Sequence, residues 1–226
     1  MRTAAILPVK RFTKAKRRLG ESVADPLRAD LARAMAGDVL LALSRSAAIE
    51  RTIVVTGEQS VAEAAHRLGA LVVRDTAEVS QSAAVLLGVE RALAEGYERV
   101  LCVPGDCPAL DPAELDSLLD EAHGPEVVIV PDRHGTGTNG LLLSPPDAIL
   151  PSFGPDSCER HRVSARAEGA RWRIERPASL LLDIDTGADL AALRDRLSRA
   201  PLGASRTRAV LGLTPHADAA PVAETG

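Results

Sequence analysis

The residues of this chain that could do chemistry stand where apolar runs give way to polar or glycine-rich sequence. In VLCVPGDCPAL, residues 100–110, Val100–Val103 suits a strand covered on both faces and Pro104-Gly105 ends it, leaving one carboxylate, Asp106. Ligands of open α/β sheets sit beyond the carboxyl ends of the strands, so Asp106 is placed to meet a ligand or its metal; as a fragment, Gly105-Asp106 reads equally as a turn. DIDTGADL, residues 183–190, brings Asp183 and Asp185, which we expect to project to opposite faces, so that only one shares the side of Asp106. Lys10, Arg11, Lys14, Lys16, Arg17 and Arg18 put six cations into nine residues directly after a first apolar run, where α/β folds wrap phosphates. The alternative for such a run is a solvated charged loop.

Three further stretches are candidates for anion contacts. PDRHGTGTNG, residues 131–140, alternates glycine with threonine, so backbone amides and hydroxyls can approach an anion closely, although turns share the pattern. Ser152–Ser157 (SFGPDS) leads into a helix over Cys158–Glu168, where unpartnered first-turn amides suit an anion and a plain Ser or Asp cap is the alternative. His161, one turn inside, is by itself more often a surface or core histidine than a catalyst. Ser80-Gln81-Ser82 opens another helix and suits either capping or ligand contact.

The elements that must position these residues follow from periodicity. Thr3–Val9 reads as a buried strand. Asp25-Pro26 opens a long helix in which Leu27, Leu31, Met35, Val39 and Leu43 recur at helical spacing to about Ser46. Strands over Thr52–Thr56 and Ala70–Val73 flank a helix over Glu58–Leu68; a helix over Val79–Ala94 precedes the strand before Asp106. Asp111-Pro112 starts a helix through Glu121, followed by strands over Glu126–Val130, Thr138–Leu143, Arg171–Glu175 and Leu180–Asp183, and a last helix over Ala188–Leu197. Strand–helix alternation of this kind makes an α/β domain with a mostly parallel sheet and helices on both faces. We expect one domain over residues 1–200 and, from the aperiodic Ala/Pro/Thr/Gly composition beyond Pro201, a flexible tail over 201–226.

Composition narrows the class. With 226 residues, 46% of them hydrophobic, the chain can bury a full core, and a net charge of −4 without a long basic run argues against nucleic-acid or membrane-surface partners. Three cysteines without a CxxC pair, and no leader or long apolar span, place the expectation in the reducing cytoplasm. Aromatic residues are 2% of the chain, leaving little surface on which nucleic-acid bases could stack.

Taken in order, LPVK…AKRRL, GDCPAL, RHGTGTNGLLL, SFGPDSCERH and DIDTGADL resemble the guanylyltransferases of coenzyme F-420 biosynthesis, which activate phosphoenolpyruvate, 2-phospholactate or 3-phosphoglycerate with GTP; the resemblance covers residues 4–197. It implies a single Rossmann-like nucleotidyltransferase domain and Mg²⁺ held by Asp106 and Asp185. It implies that Lys10, Lys16 and Arg18 meet the triphosphate, with Ser80, Gln81 and Gly105 on the nucleotide side and Lys10 also serving catalysis. Thr138, Gly154 and Ser157 would then grip the acceptor's phosphate and carboxylate. Val79-Ser80-Gln81 stands where family members often have Gly-Leu-Asn, and Gly140 where many have Ala. Among acceptors we expect phosphoenolpyruvate ahead of 2-phospholactate and 3-phosphoglycerate, with Phe153 and Pro155 as apolar walls and Asp156 or His161 able to serve a hydroxyl. The partners are GTP and a small phosphorylated carboxylic acid, with a homodimer left open. The rivals are a molybdopterin- or sugar-phosphate nucleotidyltransferase and a catalytically silent nucleotide-binding protein.

Overall fold

The computed structural model describes residues 1–12, 25–121, 124–199 and 203–213. A seven-stranded sheet forms the centre, in the order β3-β2-β1-β4-β6-β5-β7. Its strands are β1 (Thr3–Val9), β2 (Arg51–Thr56), β3 (Leu71–Arg74), β4 (Arg99–Cys102), β5 (Val127–Pro131), β6 (Thr138–Leu143) and β7 (Trp172–Ile174). The helices are α1 (Asp25–Arg45), α2 (Gln59–Arg67), α3 (Gln81–Ala94), α4 (Pro112–Glu121), α5 (Ser157–Ala167), α6 (Gly187–Arg199) and α7 (Ser205–Leu211).

Burial on both faces explains the near-continuous apolar strands. Along β1, Ala5, Leu7 and Val9 join a core with Val39, Leu40 and Leu43 of α1 and Leu115, Leu118 and Leu119 of α4. Ala4 and Ile6 face the other way, onto Ala84, Val85, Val89 and Ala92 of α3. Helix α3 is seated unusually deep: a Cβ at Gly88 would lie 2.5 Å from Ile6 Cγ2 and 3.2 Å from Val55 Cγ2. A glycine inside a helix weakens it by about 1 kcal/mol against alanine, and here it allows the helix backbone to rest on the sheet.

Strands β1–β4 pair in parallel, whereas β6 runs antiparallel to both β4 and β5. The cause is connection length. Residues 132–137 are too few for a crossover and instead form a tight loop, closed by Asp132 N–H to Gly137 O at 3.2 Å and Gly135 N–H to Asp132 O at 3.1 Å. This reversal matters for the site. Because Cys102 pairs with Leu141, the start of β6, Thr138-Asn139, extends alongside Pro104–Asp106 beyond the end of β4.

Two expectations are corrected. Leu180–Asp183 is not a strand: Leu180 N–H closes a turn onto Pro177 O, and Ile184 N–H bonds to Asp106 O at 3.2 Å, so no ladder forms. Its alternating apolar residues report burial instead, since Leu182 and Ile184 pack among Leu31 and Met35 of α1 and Leu190, Leu193 and Leu197 of α6. Within the stretch expected to be a tail, residues 205–211 form α7, whose Leu211 joins that same cluster. Asp38, buried in α1, fixes the start of α7 by accepting from Arg206 N at 3.1 Å and Thr207 N at 2.8 Å.

Candidate active site

Two cavities open side by side at the carboxyl ends of β1, β3 and β4, and they share Gln81, Pro104 and Asp106 as a common wall. The first, about 240 Å³, is mostly apolar, with Val9, Phe12, Ala32, Met35, Ala36, Val55 and Ala84 around Lys10, Asp75 and Gly105. The second, about 480 Å³, is polar, and runs from Asp106 past Thr136–Asn139 to Phe153–Ser157 and to Asp183 and Asp185.

Each wall of the polar cavity is braced from behind. Gly154 adopts φ +114°, open to glycine without strain, and its carbonyl accepts from Ser157 N at the start of α5. Cys158 N–H donates to Thr136 O at 3.0 Å, tying α5 to the β5–β6 loop. The guanidinium of Arg160 binds Ser152 Oγ, Ser152 O and Pro155 O, clamping residues 152–155. Phe153 N–H donates to Ser82 Oγ at 2.8 Å, which joins this loop to α3.

The carboxylates form the electrostatic centre. Both Asp183 and Asp185 border the cavity with Asp106, which corrects the expectation that they face opposite ways. Residues two apart on an extended chain share a face, and it is Leu182 and Ile184 that turn inward. Burial, then the neighbouring charges of Asp106 and Asp185, push the Asp183 carboxyl up to about 6, against the bond donated by Asn139 Nδ2 at 3.2 Å. Such crowding is what a hard divalent cation relieves. Among the described residues no group of three or more His, Cys, Asp or Glu side chains is arranged to hold a metal ion by itself.

Asp185 is held by its own helix. Asp189 Oδ2 accepts from Asp185 N at 3.1 Å, from Thr186 N at 2.7 Å and from Thr186 Oγ1 at 2.8 Å, while Oδ1 pairs with Arg133 Nη2 at 2.5 Å. Burial opposes ionisation of Asp189, but these partners keep its carboxyl below the usual range.

The structure thus brings together most residues singled out by sequence. Lys10, Gln81, Gly105 and Asp106 line the first cavity; Gln81, Asp106, Thr138, Gly154, Ser157 and Asp185 line the second. Ser80 lines neither, and its hydroxyl caps α3 by accepting from Ala83 N at 3.0 Å. His161 is fully buried, bonded to Thr138 and Ser152, and does not reach the cavity as a hydroxyl partner. Lys16 and Arg18 lie outside the described residues. Reading the sequence missed Asp75, Asp183 and Asn139 as wall residues, although Asp75 ends β3 much as Asp106 follows β4, and that signal was available.

A mostly parallel sheet interrupted by one reversed strand is a fold this chain shares with solved nucleotidyltransferases. The fold is similar to CMP:2-keto-3-deoxy-manno-octonic acid synthetase complexed with CTP, at a TM-score of 0.60 and 14% identity over 88% of this chain and 99% of that one. The chain belongs to the guanylyl transferase CofC-like family, whose model matches residues 3–194, and it is accordingly a nucleotidyltransferase enzyme. It is 47% identical over 213 residues, 93% of this chain and 96% of the other, to a phosphoenolpyruvate guanylyltransferase from Conexibacter woesei. It is 35% identical over 193 residues, 85% of this chain and 84% of the other, to a 2-phospho-L-lactate guanylyltransferase from Methanothermobacter thermautotrophicus.

Proposed function

We propose that this enzyme transfers GMP from GTP to phosphoenolpyruvate, releasing pyrophosphate, in coenzyme F-420 biosynthesis. The observation that carries this reading is the pair of cavities meeting at Asp106, which allows a nucleotide and a small acid to be held with their reacting phosphates adjacent. A phosphate oxygen of the acceptor forms a bond to the α-phosphorus of GTP as the bond to the bridging oxygen breaks and pyrophosphate departs. The acceptor phosphate is already a nucleophile at neutral pH, so alignment and charge neutralisation do most of the work.

In this scheme Asp106 and Asp185, with Asp183 beside them, hold Mg²⁺, which when bound neutralises triphosphate charge. Lys10, with Lys16 and Arg18, binds the triphosphate. Gln81 and Gly105 line the nucleotide side and the Ser80 cap keeps Gln81 in place, while Thr138, Gly154 and Ser157 grip the acceptor. The apolar lining supplied by Val9, Phe12 and Met35 suits the nucleoside, and the polar cavity suits an acid with two anionic groups. Phosphoenolpyruvate is favoured by Phe153 and Pro155 on that cavity's wall and by the Conexibacter relative. A reducing cytoplasm is the compartment we assign, and among the described residues no helix is long and apolar enough to cross a membrane. Competition of phosphoenolpyruvate, 2-phospholactate and 3-phosphoglycerate at equal concentration, with guanylylated products separated by mass, tests the assignment. A dominant phosphoenolpyruvate product is expected; dominant 2-phospholactate product would favour the chemistry of the Methanothermobacter relative.

A further inference from the structure

His161 touches neither cavity, yet its two ring nitrogens are committed in a way that fixes the hydrogen-bonding character of a wall residue. Ser152 N–H donates to Nε2 at 2.9 Å, so that nitrogen must carry a lone pair. In a neutral imidazole the proton then sits on Nδ1, which lies 3.1 Å from Thr138 Oγ1. Thr138 Oγ1 is therefore an acceptor from the ring, and the hydroxyl's own proton remains to be donated. Among the described residues His161 is the partner recorded for that hydroxyl, and Thr138 stands on the wall of the polar cavity with Gly154 and Ser157.

We infer that His161 is a positioning residue that sets the Thr138 hydroxyl as an obligate donor to the anionic group of the acceptor. This rests on the polar cavity being the acceptor site. The ring is held against reorientation. It is fully buried on α5, four residues and thus one helical turn beyond Ser157, and it meets the Phe153 ring edge-on with centroids 5.2 Å apart and planes at 72°. Burial, then the charge of Arg160, pushes its pKa down to about 4, so the neutral form that accepts from Ser152 is the form present near neutrality. A single side chain thus couples the Thr138 hydroxyl from β6 and the Phe153 ring from the loop before α5, both on the cavity wall, to the Ser152 amide beside that wall.

The test combines spectroscopy on the unaltered enzyme with a double-mutant cycle. Histidine ¹⁵N shifts of the wild-type protein should report the proton on Nδ1 of His161; a proton on Nε2 would overturn the inference while leaving the acceptor site standing. Thr138→Val, which removes the hydroxyl at near-constant volume, and His161→Phe, which keeps the ring but loses both nitrogens, should each raise the acceptor KM by about tenfold, the scale of one lost hydrogen bond to a charged group. The GTP KM should stay within about twofold, and adding His161→Phe to Thr138→Val should raise the acceptor KM little further. His161→Asn, able to present an N–H near the same point, should recover most of the loss. Independent, multiplying effects in the double variant would overturn the inference. Unchanged acceptor KM in Thr138→Val would overturn it together with the acceptor site; should His161→Phe fail to fold, the ¹⁵N measurement and Thr138→Val still decide.

Discussion

The two cavities are built on opposite principles although they share a wall. The apolar one is made by the parallel half of the sheet: Val9, Val55, Ala36 and Ala84 are core residues that happen to reach the strand ends, so its shape is a by-product of packing. The polar one is made by the reversed strand β6 and by loops, and several of its lining residues are held by groups that do not line it: Thr138 by His161, Asn139 by the Leu180 carbonyl, the Phe153 amide by Ser82 and the Asp185 amide by Asp189. A flat base is read well enough by shape. A small dianion demands donors at fixed points, and fixed points need bracing.

The largest break in this comparison should come from the shared wall. Asp106→Ala is expected to lower kcat by about a thousandfold or more, and Asp185→Ala similarly, since each leaves triphosphate charge uncompensated. Asp183→Ala should now belong with them, because all three carboxylates border one cavity. Steady-state turnover at saturating Mg²⁺ checks this, and near-wild-type activity in Asp183→Ala would return Asp183 to the background.

The bracing is tested next. Asp189→Asn weakens the acceptor for the Asp185 and Thr186 amides and the partner of Arg133, and it should cost about ten- to a hundredfold in activity, as loss of an outer partner commonly does at metal sites. Raising Mg²⁺ should recover part of the loss, and an Mg²⁺ titration of the variant measures how much. Lys10→Ala separates the two sides. It should raise the GTP KM by about tenfold, roughly one charge-assisted contact, with the acceptor KM unchanged, which separate calorimetric titrations would check.

Near neutrality the smallest effect is one of stability. The pKa of His161 falls from the ordinary 6.5 to about 4 in the fold, so the unfolded chain binds the proton more readily across that interval. Stability is complete above 6.5 and is lost as pH falls toward 4, by under about 1 kcal/mol at pH 6 and roughly 3 kcal/mol near pH 4. Denaturant midpoints from pH 7 to pH 4 should show this component in the wild type and lack it in His161→Phe.

Much of the fold was legible because its signals are local: the apolar run of β1, the Asp-Pro start of α1 and the glycine after β4 each declare themselves within a few residues. What escaped is non-local or too short. Leu180–Asp183 alternates like a strand, but alternation records which side is buried and is silent on whether a partner supplies a ladder. Helix α7 has seven residues, too few to display a period, and is fixed by Asp38 far back in α1. For the site, the position at a strand end points to Asp106, while Asp185 and Thr138 are singled out through the family resemblance. Asn139, His161 and Asp189 lie inside the same stretches, but a motif does not tell which of its members face a cavity and which brace a neighbour.

Gly88 extends that point to a residue with no side chain at all. A methyl there would press on Ile6 and Val55 and lift α3 from the sheet. The amino end of that helix carries Gln81, common to both cavities, and Ser82, which anchors Phe153. The space left by one hydrogen in the core therefore sets the position of a wall shared by two cavities about two helical turns away. A directed-evolution search confined to cavity-lining positions would overlook it, although substitution at Gly88 should disturb the affinities for both substrates together.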